Sequence, residues 1–211
     1  MRAVFASTGQ LTSAQRSLVV PTLADVIRVS PCHARVFFFD DTSLHWCPDI
    51  GRIYQLPRGQ VKINSPGTDK VRYLLGSVEY PSGEGLYEVD DHKRHQEVRQ
   101  HLPHLMAMYP TDYCFVVWDS ASSHTTPMLW PFLWEHQHRL TTVPLPTYSP
   151  HLNLIERLWR FMRGQMTRNH FYESLQELCE ALTCWLECLP PERFQSLMGI
   201  QAQTQAECSA A

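Results

Sequence analysis

No stretch of the 211-residue sequence is apolar enough to cross a membrane. Its longest apolar runs, such as 36–39 and 114–118, fall far short of the roughly 20 residues that a membrane helix needs. The N-terminal apolar stretch is interrupted by Gly9, Gln10, Gln15 and Arg16, which argues against a secretory signal. With 44% hydrophobic and 18% charged residues, the composition is that of a soluble globular protein, and no membrane partner is expected.

The sequence also lacks a Cys-x-x-Cys pair, although it contains seven cysteines. Structural zinc sites commonly use such pairs, and the spacing of Cys179, Cys184 and Cys188 fits a helix better than a zinc knuckle. We therefore interpret the cysteines as reduced, buried thiols in a cytoplasm-like compartment. A metal site built from some of the eleven histidines is the less favoured alternative to scattered surface histidines.

The sequence has no excess of positive charge either, because it contains 18 Lys and Arg but 21 Asp and Glu, which gives a formal net charge of −3. Dedicated nucleic-acid binders are usually basic. Two segments depart from this average, with five basic residues against one acidic residue over 51–72 and four against one over 152–170. They are either phosphate-facing surfaces or ordinary solvated faces, and charge alone favours the second interpretation.

Hydrophobic periodicity predicts one mixed α/β domain. Strands are expected at 35–41, 51–59, 70–80, 113–119 and 140–145, and helices at 91–108, 126–137, 152–166 and 171–189. This order indicates a mixed β-sheet flanked by α-helices, without internal repeats. The expected domain spans 35–190, after a lead-in at 1–34 with one short helix near 12–28 and before a polar C-terminal tail at 191–211.

Three acidic residues stand out by their positions. Asp40 and Asp119 each end a predicted buried strand, and Glu156 opens a predicted helix. Open α/β sheets usually bind ligands at the carboxyl ends of their strands. Carboxylates about 4 Å apart repel by roughly 4 kcal/mol per pair at an effective dielectric near 20, so such a cluster needs a cation, a proton or arginines. All-oxygen ligands favour Mg²⁺ or Mn²⁺, and two such ions about 3.5–4 Å apart suit displacement at phosphorus.

Each of these acids also has an ordinary structural interpretation. An Asp at a strand end often starts a turn or caps a helix. Asp41 competes with Asp40, because adjacent strand residues point to opposite faces of the sheet. Glu156 lies with Arg160 and Arg163 on the side of its helix opposite the apolar stripe, and such pairing is common on helix surfaces. Helical spacing alone favours a surface role for Glu156.

Four segments together resemble a known family. They are FFFDD at 37–41, RIYQLPRGQ at 52–60, VVWDSASSH at 116–124 and LPTYSPHLNLIERLW at 145–159. In this order they resemble the mariner-related DDE transposases of the DDE superfamily endonucleases, and most of all the bacterial insertion-sequence family numbered six-thirty. The likeness runs from about 35 to 186, and its last segment is the most specific.

The resemblance implies an RNase H-like fold with a catalytic, metal-binding triad of Asp40, Asp119 and Glu156. It also implies two Mg²⁺ ions, for which Mn²⁺ can substitute. The expected reaction is hydrolysis that frees transposon ends, followed by strand transfer into target DNA. The chain is then expected to be a Mg²⁺-dependent DNA endonuclease and strand transferase.

The same resemblance suggests supporting residues. His124 matches a family histidine after the second Asp and is expected to support that site, the alternative being a structural histidine in a turn. Tyr148, Ser149 and Asn153 are expected to shape the loop and cap the following helix. DNA contacts are expected from Arg52, Arg58, Arg160 and Arg163.

The chain departs from the family pattern in three places. Ser120 stands where the family usually has Asn, and Leu154 where it usually has Pro. Only 39 residues precede Asp40, too few for the family's N-terminal helix-turn-helix region. We therefore expect a catalytic domain that forms a homodimer in the bacterial cytoplasm, associated with the nucleoid, with a separately encoded helix-turn-helix partner. The alternatives are an inactive remnant that keeps only the fold and a binding surface, and another RNase H-like nuclease.

Overall fold

The computed structural model describes residues 34–54, 61–146 and 152–199, so the helix predicted near 12–28 lies outside it. Its strands are β1 (Ala34–His45), β2 (Val71–Tyr80), β3 (Gly85–Asp90), β4 (Tyr113–Trp118) and β5 (Leu140–Pro144). Its α-helices are α1 (His95–Met108), α2 (Ser122–Thr125), α3 (Trp130–Glu135), α4 (Ile155–Met162), α5 (Leu175–Glu187) and α6 (Pro191–Met198). Among the described residues, none of the helices has the length and apolarity of a membrane span.

The strands form one mixed sheet in the order β3-β2-β1-β4-β5. The pairs β1–β2 and β2–β3 are antiparallel, whereas β1–β4 and β4–β5 are parallel. The predicted fold class, a mixed sheet flanked by helices, is confirmed.

β1 separates two hydrophobic cores, because alternate side chains of a strand point to opposite faces. Val36 and Phe38 lie in the core shared with α4, α5 and α6, whereas Phe37 and Phe39 lie in the core shared with α1. The predicted apolar stripe of α4 is buried in the first core, with at most 1% exposure for Ile155, Leu158, Trp159 and Met162. Helix α4 is therefore fixed on the face of β1 that carries its even-numbered residues.

β1 is longer than the predicted strand at 35–41, and this changes the position of Asp40. Pairing with β4 is last seen at Phe38 and Val117, but pairing with β2 continues as far as His45. The expectation that Asp40 ends a strand is therefore wrong, since it lies within β1, just beyond the stretch paired with β4. Asp119, by contrast, directly follows the last residue of β4 as predicted.

The strand predicted at 51–59 is wrong over its described part. Residues 51–54 belong to no strand, and Ile53 and Tyr54 are 40% and 104% exposed. The remaining strand of the sheet is β3, which periodicity did not predict. β3 follows a tight turn closed by a 2.7 Å hydrogen bond from the backbone N–H of Glu79 to the carbonyl of Glu84. Its half-buried residues form a strand because the edge of β2 supplies backbone partners.

The predicted helices are present with different limits. α1 and α5 lie within the predicted ranges. α3 is shorter than predicted because a 3₁₀ turn with a proline, Pro127–Leu129, precedes it. α4 continues as a π-helical turn, Arg163–Thr167. α6 falls in the segment expected to be a polar tail, yet Phe194 and Met198 are buried in the core, so residues 191–198 belong to the folded domain.

The cysteines are only partly buried. Cys114 and Cys179 are buried, as expected. Cys184 and Cys188 are exposed, so the expectation of buried thiols is wrong for these two. They lie at the end of α5, on the side that does not pack against the core.

Candidate functional site

The register of the sheet brings Asp40 and Asp119 to the same level on neighbouring strands. Phe38 of β1 pairs with Val117 of β4, and the two aspartates each lie two residues further along. Because β4 ends at Trp118, Asp119 lies at its carboxyl end beside the middle of β1. This edge is where parallel strands usually present ligand-binding residues.

Asp40 is 7% exposed and lies on the face of β1 that packs against α4. Trp159 of α4 donates its indole N–H to Oδ2 of Asp40 over 3.1 Å. Gly76 pairs with Asp40 across β1 and β2 and makes room for the indole. A Cβ at Gly76 would lie 2.5 Å from Cη2 of Trp159. The packing of α4 on β1 and β2 therefore accommodates the buried hydrogen bond between Trp159 and Asp40.

Asn153 anchors the start of α4 on β1. Its side chain is 2% exposed, and its Nδ2 donates to the carbonyl oxygen of Phe39 over 3.1 Å. The predicted capping role is wrong, because Leu154 is the N-cap residue and no side chain caps α4. Asn153 instead ties the helix to the residue before Asp40, and so holds the half-buried Glu156, in the first turn of α4, near that strand. Tyr148 and Ser149 lie outside the described residues.

The candidate ligands repel one another. Burial raises the pKa of Asp40 to about 8, and the negative charges of Glu156, Asp119 and Asp41 contribute to the shift. In the part of the chain that the structure describes, no three His, Cys, Asp or Glu side chains are arranged to hold a metal ion. Asp119 and Glu156 are therefore each within electrostatic reach of Asp40, but the three residues are not in ligand geometry.

Asp119 is held through one of its two carboxylate oxygens. Its Oδ1 accepts a hydrogen bond from the backbone N–H of Ala121 at 3.0 Å and one from Nδ1 of His124 at 2.7 Å. The bond from His124 lowers the pKa of Asp119 most, and the bond from Ala121 adds to it against the opposing effect of burial. The side chain remains 46% exposed, so Oδ2 is accessible to a cation or to solvent.

His124 lies in α2 with no exposed side-chain surface. Its ring stacks on Trp118, with centroids 5.4 Å apart and planes at 11°, and meets Phe39 nearly edge-on at 5.1 Å. Burial opposes protonation of the ring, but the carboxylates of Asp119 and Asp41 outweigh burial and raise the pKa of His124 to about 9. His124 thus contacts Asp119, and its role in supporting a catalytic site stays a prediction.

Asp41 points to the opposite face of β1 from Asp40. Its Oδ2 lies 3.7 Å from Nε2 of His124, and its Oδ1 lies 3.5 Å from Nζ of Lys93. Both distances are those of ion pairs rather than of good hydrogen bonds. The surroundings of the two acids therefore differ, since Asp40 faces the helix that carries Glu156 and Asp41 faces two basic side chains.

The predicted DNA-binding arginines differ in their surroundings. Arg52 and Arg160 are exposed. Arg163 is also exposed, but its Nη2 donates to Oγ1 of Thr42, and it lines a cavity of about 330 Å³ beside the end of β1. Arg58 lies outside the described residues.

Arg157, which belongs to the same basic segment, has a structural role. Its Nη1 donates to the carbonyl oxygens of Leu197 and Met198, at 3.3 and 3.0 Å. A cation at the carboxyl end of α6 also interacts favourably with the helix dipole. Arg157 therefore stabilises the packing of α6 and is not among the candidate DNA contacts.

Trp159, Gly76 and Asn153 shape the site in ways that the sequence did not predict. Periodicity assigned Trp159 to the core, which is correct for its ring. A buried indole N–H usually has a hydrogen-bond acceptor, and this requirement was a usable signal for a buried acidic partner. Gly76 carries no such signal, because its role depends on a side chain far along the chain.

Comparison with known proteins identifies the family. A model described as DDE superfamily endonuclease matches residues 35–179, well over half of the chain. The chain belongs to the DDE superfamily endonucleases. This member is 27% identical over 157 residues to "Insertion element IS630 uncharacterized 39 kDa protein" of Shigella sonnei, which covers 74% of this chain and 46% of the relative. The predicted membership in the DDE superfamily endonucleases is confirmed.

A second relative and several solved structures agree with this family. An uncharacterised protein of Sinorhizobium fredii is 25% identical over 107 residues, covering 50% of this chain and 76% of the relative. The catalytic domain of Mos1 mariner transposase has a TM-score of 0.60 at 16% identity, covering 92% of this chain and 91% of that one. A Mos1 paired-end complex with Mg has a TM-score of 0.66 at 16% identity, covering 94% of this chain and 62% of that one. These structural likenesses establish the fold, and the RNase H-like fold predicted for this DDE superfamily endonuclease is confirmed.

Proposed function

We propose that this DDE superfamily endonuclease is a transposase catalytic domain, which cleaves DNA ends and joins them to target DNA by strand transfer. The observation that carries the proposal is that the negative charges of Glu156 and Asp119 both raise the pKa of the buried Asp40. Asp40 and Asp119 each lie two residues beyond a paired position of neighbouring parallel strands. Repelling carboxylates beside a buried aspartate cost stability unless a cation offsets their charge. Such a cost is expected at a functional site.

Asp40, Asp119 and Glu156 are the residues that would hold two Mg²⁺ ions, or Mn²⁺ in their place. The donor set fits these ions, because every ligand is a carboxylate oxygen. A Mos1 paired-end complex is described as containing Mn and another as containing Mg. The chemistry supplied by such ions is activation of the attacking oxygen and stabilisation of the leaving oxygen in displacement at phosphorus.

The chain's own residues contribute orientation. Trp159 holds Oδ2 of Asp40, and His124 holds Oδ1 of Asp119, so Oδ2 of Asp119 is left for a cation. Asn153 fixes the start of the helix that carries Glu156. The half-buried side chain of Glu156 can turn towards a cation, whereas the carboxyl groups of Asp40 and Asp119 are held by these contacts.

DNA is the proposed partner. Some solved structures with this fold are described as a Mos1 paired-end complex with the left transposon end and a Mos1 strand transfer complex. We assign phosphate contacts to Arg52, Arg58, Arg160 and Arg163. Contacts to phosphates release counterions and carry no sequence information, so binding is expected to be salt-sensitive and independent of sequence. The formal net charge of −3 for the whole chain should keep it weak. A homodimer, a separately encoded helix-turn-helix partner and a nucleoid-associated cytoplasmic location complete the proposal.

Nicking and joining assays test the reaction. The purified chain is incubated with supercoiled plasmid and with a fluorescent duplex that carries a 3′-hydroxyl end, in Mg²⁺, Mn²⁺ or EDTA. We expect metal-dependent nicking or joining that is lost in Asp119→Asn. Asp91→Asn is the control, because Asp91 pairs with Arg72 on the surface. Full activity of Asp119→Asn would overturn the assignment.

A second candidate is an inactive transposase remnant that keeps the fold and a DNA- or protein-binding surface. The observation that favours it is that no three side chains of the described residues are arranged to hold a metal ion. Calorimetric titration with Mn²⁺ separates the two candidates, because a remnant should show no saturable binding. Cleavage of RNA–DNA hybrids in preference to duplex ends would instead indicate another nuclease of this fold.

A further inference from the structure

A buried imidazole lies between two carboxylates of adjacent strands. His124 contacts Oδ1 of Asp119 through Nδ1 and faces Oδ2 of Asp41 through Nε2. We propose that Asp41 and His124 are positioning residues for Asp119, in which Asp41 sets the place of the imidazole and the imidazole fixes the carboxylate of Asp119. The inference rests on the proposed function, because it explains how one candidate metal ligand is oriented.

The second ring nitrogen of His124 needs a partner. It is fully buried and has no hydrogen-bond partner among the described residues. Buried polar groups in native proteins nearly always have one. The carboxylate that faces this nitrogen is Asp41, at 3.7 Å, close enough that a small movement of the ring completes a hydrogen bond.

Aromatic side chains restrict the tilt of the His124 ring. Trp118 stacks on its face and Phe39 meets it nearly edge-on, so the ring cannot tilt without displacing a core side chain. Its two nitrogens face Asp119 and Asp41. The charge of Asp41 at Nε2 therefore influences how Nδ1 meets Asp119.

Asp41 is itself held from a second side. Its other oxygen, Oδ1, lies 3.5 Å from Nζ of Lys93, and that ammonium also lies 5.8 Å from the ring centre of Tyr73. The adjacent acids Asp40 and Asp41 thereby acquire different tasks on the two faces of β1. Asp40 is a candidate ligand, and Asp41 acts on the second ligand through His124.

Calorimetric titration of the full chain with Mn²⁺ tests whether Asp41 acts on Asp119 through His124. Asp41→Asn removes the negative charge that faces Nε2 of His124. His124→Asn keeps an amide nitrogen near the place of Nδ1, so a donor to Asp119 survives while the link to Asp41 is lost. We expect each variant to lose about 10- to 100-fold in Mn²⁺ affinity, as is usual for residues that orient metal ligands. The double variant should lose no more than the weaker-binding single variant, because both act through one contact.

Asp69→Asn is the matched control. Asp69 also holds a histidine, since its Oδ2 lies 2.6 Å from Nδ1 of His45, but that pair makes no contact with the candidate ligands. The Mn²⁺ affinity of Asp69→Asn should equal that of the wild type. Thermal melting of every variant shows whether the fold is kept, and Asp41→Asn decides the question if His124→Asn does not fold.

The possible results separate this inference from the proposed function. Wild-type affinity in Asp41→Asn, with binding abolished in Asp119→Asn, would overturn the positioning role and leave the metal site intact. Losses that multiply in the double variant would also overturn it, because Asp41 would then act independently of His124. Absence of saturable Mn²⁺ binding to the wild type would overturn the proposed function and this inference with it.

Discussion

The indole N–H of Trp159 donates to Oδ2 of Asp40 over 3.1 Å and so joins α4 to the strand that carries the first candidate ligand. Both residues are buried, with 1% and 7% exposure. A hydrogen bond to a buried carboxylate is costly to leave unmade. The orientation of Asp40 is therefore determined by how α4 packs on the sheet.

Removal of this donor should weaken both the fold and the metal site. Trp159→Phe keeps an aromatic ring in the core but leaves Oδ2 of Asp40 without its donor, and we expect the free energy of unfolding to fall by about 1–3 kcal/mol. Mn²⁺ affinity should fall as well. Denaturant unfolding and calorimetry measure the two effects. Trp134→Phe is the control, because Trp134 is 71% exposed, and equal losses in both variants would contradict the role of the indole.

The space beside Gly76 offers a second test of the same packing. In Gly76→Ala, the new Cβ would lie 2.5 Å from Cη2 of Trp159, so the indole must move away from Asp40. We expect a loss of about 1–3 kcal/mol in unfolding free energy, typical of overpacking, together with weaker Mn²⁺ binding. Gly164→Ala is the control, because a Cβ there meets nothing within 4 Å. A Gly76→Ala variant as stable as wild type would show that the indole is not confined.

Most of the strands and helices could be predicted from the sequence, and the three acids could be selected as candidates, whereas their exact setting could not. Buried strand runs end near Asp40 and before Asp119 because apolar side chains pack on both faces of the sheet. The extension of β1 past Asp40 depends on pairing with β2, which no local pattern encodes. β3 was missed for the same reason, since its half-buried residues form a strand only against a neighbouring edge.

The contacts that orient the acids were beyond prediction for a related reason. Asn153 was expected to cap α4, because its type and position suit a cap, but its amide instead donates to the carbonyl of Phe39. The different tasks of Asp40 and Asp41 depend on which helices cover each face of β1. Such choices are made by tertiary packing, which the spacing of residues along one helix or strand does not determine.

Arg160 lies in the last turn of α4 and is exposed. If it contacts a phosphate, Arg160→Ala should weaken binding to random duplex DNA and reduce the slope of log K against log salt by about 0.9. Fluorescence anisotropy at several salt concentrations measures that slope. Arg157→Ala is the matched control, because Arg157 donates to the end of α6 and its loss should lower stability without changing the slope. An unchanged slope in Arg160→Ala would remove this residue from the DNA surface.

Glu88 provides a test of stability against pH away from the candidate site. Burial opposes ionisation, but hydrogen bonds from His101 and His104, each 2.5 Å, outweigh it and lower the pKa of Glu88 below 4.5. A carboxylate whose pKa is lower in the folded than in the unfolded state stabilises the protein at pH values above the unfolded pKa. This stabilisation is lost as the pH falls through the folded pKa. Glu88→Gln should therefore be less stable than wild type by about 1–2 kcal/mol near neutral pH.

The difference between wild type and Glu88→Gln should shrink as the pH falls below about 4.5 and the carboxylate of the wild type takes up its proton. Denaturant unfolding at a series of pH values measures it. The exposed Glu187 provides the control variant Glu187→Gln, which should match wild type throughout. A constant difference between wild type and Glu88→Gln across the acid range would mean that the charge of Glu88 does not contribute.

A surface role and a metal-binding role for Glu156 predict opposite effects of its substitution, so Glu156→Gln tests whether this residue belongs to the proposed metal site. The measurement is the rate of Mn²⁺-dependent nicking of supercoiled plasmid by wild type, Glu156→Gln and the exposed control Glu187→Gln. Substitution of residues that only orient metal ligands already lowers metal affinity or activity by about 10- to 100-fold. Substitution of a ligand itself should therefore lower the nicking rate by more than about 100-fold. We expect that loss in Glu156→Gln alone. Equal rates in wild type and Glu156→Gln would contradict it.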